Sequence, residues 1–139
     1  MKKLKIIAIF LCLATILTLI SCAKKEEYPD FSQSDYKENT ALGEGSRSFT
    51  LLVKSGENEV TFTIRTEKEN VGDALLELGL ISGEEGEYGL YVTEVNGITA
   101  DYDKDKSYWL FNIEGSMAST SVTETPITEG GNYSLVYTK

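Results

Sequence analysis

Asp101, Asp103 and Asp105 stand at i, i+2 and i+4 in the run Asp-Tyr-Asp-Lys-Asp-Lys-Ser. That spacing matches the opening of a calcium loop, where hard carboxylate oxygens gather round one cation. The rest of the loop pattern departs from it. The sixth position is Lys106 rather than Gly, the twelfth is Asn112 rather than Glu, and Lys104 and Lys106 would repel a cation. The run therefore reads either as a calcium site or as a solvated acidic turn. Beside it, Tyr108-Trp109 could stack on a flat ligand and exclude water from it, with Tyr102 close in sequence. Trp109 shares its parity with Phe111 and Ile113, which favours core packing, whereas Tyr108 points the other way and is the better placed to face a ligand. Glu84, Glu85 and Glu87 form a second acidic group, read as solvated surface.

Much enzyme chemistry is absent from this composition. The chain has no histidine, which removes Ser-His-Asp and Cys-His nucleophilic sites and the common zinc sites. A hydrolase would have to rely on carboxylates facing each other across a cleft, and the sequence places no such pair. Its glycines mark turns rather than a phosphate loop. A non-enzyme is expected.

The N-terminus carries a different chemistry. Lys2, Lys3 and Lys5 precede an apolar run from Ile6 to Ile20, shorter than the ~20 residues that span a bilayer and suited to a signal peptide. Leu19-Ile20-Ser21-Cys22 then resembles the lipobox of bacterial lipoproteins. Cleavage before Cys22 would leave its thiol to receive a diacylglyceryl group, and two acyl chains make a stable anchor where one does not. Residues 1–21 are thus expected to be a lipoprotein signal peptide, and the product extracytoplasmic and lipid-anchored to the cell membrane. Cys12 would leave with the signal, so the mature chain would have no disulfide.

Processing also shifts the charge. The 139 residues hold 13 basic and 22 acidic side chains. Loss of Lys2, Lys3 and Lys5 leaves 10 against 22, a net −12. Such a surface repels phosphate backbones, which argues against nucleic acid and against adsorption on anionic lipid.

These residues must be positioned by the elements that follow. Residues 22–46 are polar, charged and unperiodic, and read as a lipidated, flexible tether. From residue 47 the pattern turns regular. Phe49, Leu51 and Val53, then Val60, Phe62 and Ile64, alternate on either side of Gly56-Glu57-Asn58, a β-hairpin. Val71, Ala74, Leu75 and Leu78 take helical spacing, with Asn70 as N-cap and Gly79 as C′ residue. Residues 82–89 read as an acidic loop. Tyr91–Val95 and Ile98–Ala100 flank the hairpin signal Asn96-Gly97. Residues 101–107 read as a charged loop, and 115–126 as irregular. Tyr108–Ile113 and Tyr133–Tyr137 complete the strands. The expectation is one α+β domain over 47–139, a monomer, with a mixed sheet of about five to six strands and one helix packed across it, β-grasp-like.

The stretch from Asn70 onward resembles a known family. The residues that carry the resemblance are Val71-Gly72-Asp73-Ala74-Leu75-Leu76 with Leu78-Gly79-Leu80, Val95-Asn96-Gly97-Ile98 with Ala100-Asp101-Tyr102, Ser107-Tyr108-Trp109 with Phe111, and Ile127 and Gly130 with the last strand. Together they are similar to the transcobalamin-like C-terminal domain, long known as a domain of unknown function in bacterial surface proteins. The resemblance implies a β-grasp-related fold. It also implies a corrinoid-binding role: in vertebrate vitamin B12 carriers the matching domain closes over one face of the corrinoid, and a helical domain holds the other. Two functions are carried forward. One is non-catalytic binding of a small ligand, such as a corrinoid, or of a partner protein that completes the pocket. The other is a surface adhesion or structural module with calcium at 101–105.

Overall fold

The computed structural model describes residues 26–139. The expected signal peptide and Cys22 lie outside the described residues. The alternating runs form strands β2 (Arg47–Ser55) and β3 (Asn58–Thr66), paired antiparallel with Leu51 opposite Phe62 and Val53 opposite Val60. The last strand, β9 (Gly131–Thr138), lies parallel to β2 and antiparallel to β7 (Tyr108–Ile113). Two short strands close the edges, β1 (Thr40–Leu42) beside β3 and β8 (Ser116–Met117) beside β7. The mixed sheet has the order β1-β3-β2-β9-β7-β8. Registry lines up Phe62, Leu51, Tyr133 and Ile113 in one cross-strand row, and Val60, Val53, Leu135 and Phe111 in the next. Because successive side chains alternate between faces, these rows make one apolar face.

The helix α1 (Val71–Glu77) buries Val71, Ala74 and Leu75 in the same core. The Asn70 side chain accepts from the Asp73 amide at 2.8 Å, and Gly79 takes a positive φ of 68° after it, so both expected caps are present. Gly72 lets the helix sit close to a 3-10 turn at Val122–Glu124. A Cβ there would come within 2.7 Å of the Thr123 amide nitrogen. The same turn pins the start of β5 (Gly89–Val95): the Leu90 amide donates to Thr123 Oγ1, and Ser121 Oγ donates to the Leu90 carbonyl. With one helix of this length between sheets, the chain is α+β, as expected.

Two expectations are corrected. Residues 82–89 are not a loop: β4 (Ile81–Gly86) pairs with β5, and β5 with β6 (Ile98–Thr99), giving a second, three-stranded sheet. Residues 22–46 are not a tether throughout. Phe31, in a 3-10 turn, is 8% exposed and joins the core. The Tyr36 ring meets Phe62 edge-on at 5.5 Å. The Tyr36 backbone exchanges two 2.8 Å hydrogen bonds with the buried Asn96 side chain. That asparagine occupies the β5–β6 turn at φ 51°, the hairpin geometry its Asn-Gly pair favours. Two aromatic residues, Phe31 and Tyr36, too few to show a period, thus tie the segment down. The folded domain begins well before residue 47. Among the described residues, no helix is long and apolar enough to cross a membrane.

Candidate functional site

The small sheet presents one face to the core and one to solvent. Leu90 and Val92 point inward. Tyr91 and Thr93 point out, with Glu84 opposite Tyr91 on β4. The chain leaves β6 through Ala100 and enters a single helical turn, α2 (Tyr102–Asp105), capped by Asp101. Sheet and turn enclose a groove of about 350 Å³ lined by Glu84, Tyr91, Thr93, Thr99 and residues 100–103. Tyr91 and Tyr102 stand 50% and 51% exposed on it. Exposed rings of this size offer a ligand a large apolar contact with little side-chain freedom to lose. The Lys106 ammonium lies 4.8 Å from the centroid of the Tyr102 ring, within cation–π range.

The structure divides the residues singled out above. Tyr102, Asp101 and Asp103 line the groove. Tyr108 is half-buried behind them, its ring 6.4 Å from that of Tyr102, and supports the wall. Trp109 is 6% exposed and is a core residue. Its Nε1 donates to the Ile98 carbonyl at 3.1 Å, and its ring meets Tyr137 edge-on. It joins the two sheets and is not free to meet a ligand.

The three aspartates do not form the calcium loop considered above. One Asp101 oxygen accepts from the Asp103 and Lys104 amides and caps the turn. One Asp105 oxygen accepts from the Ser107 amide and hydroxyl, and these bonds hold its carboxyl below the ordinary carboxylate range. The Asp101 and Asp105 carboxylates are thus engaged within the turn itself. Among the described residues, no group of three acidic, Cys or His side chains is arranged to hold a metal ion. Glu84 lines the groove, while Glu85 and Glu87 are exposed.

Tyr91, Thr93 and Thr99 do not stand out in the sequence, and Glu84 reads there only as solvated surface. The signal was present in the alternation of Leu90, Tyr91, Val92 and Thr93. The preceding run Ser-Gly-Glu-Glu-Gly has no strand pattern, so nothing in the sequence marks a neighbour for Tyr91 on that side.

Comparison with known proteins bears on the family and the fold. A family model described as a domain of unknown function, DUF4430, matches residues 69–137. A crystal structure of a protein from Ruminococcus gnavus ATCC 29149, described as a candidate metal-binding protein, is similar at 30% identity and a TM-score of 0.64. The match covers 68% of this chain and 98% of that one. Haptocorrin in complex with Cbi is similar at 21% identity and a TM-score of 0.51, over 70% of this chain. The chain spans about a quarter of haptocorrin, 26% of its length, so the likeness is one of fold to a part of that protein. No curated protein matches the sequence.

Proposed function

The chain belongs to the same family as the Ruminococcus gnavus protein and carries the DUF4430 domain, and we propose that it is a lipid-anchored, extracytoplasmic binding protein that holds a small ligand without transforming it. The observation that carries this reading is the groove between the small sheet and α2, with Tyr91 and Tyr102 half-exposed on its walls. A buried ring stabilises the core, but a half-exposed pair flanking one cavity is positioned for an outside partner. Absence of histidine leaves the groove without the usual proton-transfer or nucleophile-activating group. The fold, taken as β-grasp-like, matches the part of haptocorrin that the chain covers, which makes a corrinoid the first ligand to test. On this reading the domain covers one face of a flat ligand and a partner protein covers the other.

The metal reading draws on the description of the Ruminococcus gnavus protein. It gains nothing from the geometry at 101–105, where the carboxylates are engaged in capping and turn hydrogen bonds. The test uses the chain purified without residues 1–21 and titrated with cobinamide, cobalamin and calcium. A shift in corrin absorbance with accompanying heat, lost in Tyr91→Ala and Tyr102→Ala, is the expected result. No corrin response up to high micromolar concentration overturns the corrinoid reading. Calcium heat lost in Asp103→Asn would move the function to the adhesion or structural module.

A further inference from the structure

We propose that the lipid anchor is a short leash that holds one particular end of the domain against the membrane; this rests on lipidation of Cys22. The chain is already part of the domain at Glu27. Its carbonyl accepts from Lys139 Nζ at 2.9 Å, the Pro29 carbonyl accepts from Ser55 Oγ at 2.7 Å, and the Tyr28 ring lies edge-on to Tyr137. Between Cys22 and Glu27 stand only Ala23, Lys24, Lys25 and Glu26. Even fully extended, that connection reaches no more than about 18 Å. A tether running to residue 46 would reach about 85 Å.

The attachment point also fixes which end faces the lipid. Ser55, Gly56 and Glu57 form the β2–β3 turn beside Tyr28. Thr138 pairs with Tyr108, the residue that follows α2 and Ser107. The β2–β3 turn, the end of β9 and α2 therefore share the anchored end, and the Asp101–Asp103 wall of the groove lies in the membrane-proximal half. Gly45, against Thr66, marks the opposite end, about 30 Å away along β2 and β3. The near end carries charge of both signs, with Glu27, Asp30 and Glu57 beside Lys54 and Lys139.

In the processed lipoprotein a single introduced cysteine is the one free thiol, since Cys12 leaves and Cys22 is acylated. Glu57→Cys at the near end and Glu44→Cys at the far end can each carry a donor dye. Energy transfer to acceptor-labelled headgroups in phosphatidylcholine vesicles is expected to be several times more efficient from position 57. Inserting a long Gly/Ser segment after Glu26 should abolish the difference. Equal transfer from both positions in a protein whose mass shows the lipid on Cys22 would overturn the leash alone. A mass showing unmodified Cys22 would remove the anchor reading and the leash together.

Discussion

The outward face of the six-stranded sheet carries Thr50, Leu52, Thr61 and Ser134. The outward face of the three-stranded sheet carries Glu84, Tyr91, Thr93 and Thr99, walled by Tyr102. Both sheets bury their other face in one core, yet they are held differently. The large sheet is long because fully buried Leu51, Val53, Phe62, Ile64 and Leu135 repeat in register. The small sheet is short, has a bulge between Ser82 and Gly83, and is fastened by single polar contacts from Trp109, Ser121 and Thr123. One sheet is a scaffold whose solvent side is mostly Thr, Ser and charged side chains, with half-buried Tyr108 at one end of β7. The other spends fewer residues on packing and leaves rings in the open.

The largest effect expected from this contrast is in the scaffold. Phe62→Ala should cost about 3–5 kcal/mol, as for other buried Phe truncations, read from urea unfolding; a cost below about 1 kcal/mol would deny the large sheet its role. Phe31→Ala comes next, at about 2 kcal/mol for the lost apolar burial. If residues 28–42 were a free tether, this variant would unfold like the parent. Gly72→Ala sharpens the account of how the small sheet is pinned. In an open helix that change gains up to about 1 kcal/mol. Against the Thr123 backbone it should instead cost about 1–3 kcal/mol by overpacking. Tyr91→Ala and Tyr102→Ala should change stability by no more than about 0.5 kcal/mol each while removing the ligand response.

The smallest effect is set by pH. Ser48 donates through its amide and hydroxyl to Glu129, and Asn132 likewise through its amide and side chain to Glu114. These bonds hold both carboxyls below the ordinary 4.5. A depressed folded value means the stabilisation is fully present above 4.5 and is lost as pH falls through the lower folded values. Unfolding midpoints should be level above that pH and decline below it, and Glu129→Gln should flatten the decline.

The same contrast explains what the sequence revealed. The strands of the scaffold were legible because one buried face imposes strict alternation on Phe49–Val53 and Val60–Ile64. The helix was legible from its caps. β4 was not, because Ser-Gly-Glu-Glu-Gly is built from residues that strands disfavour and becomes a strand only by pairing with β5. β1 was missed for a related reason: three residues pair in parallel with β3, a contact no local pattern announces. Half of the groove, Asp101, Tyr102 and Asp103, stood out by composition. The other half depended on knowing that β4 exists.

The central claim is that ligand recognition belongs to the solvent face of the small sheet. Amide chemical-shift mapping of the chain lacking residues 1–21, titrated with cobinamide, tests it most directly. The account predicts shifts clustered at Glu84, Tyr91, Thr93 and residues 99–103, with the outward residues of the large sheet unmoved. Shifts centred instead on Thr50, Thr61 and Ser134, or no shifts at all, would contradict it.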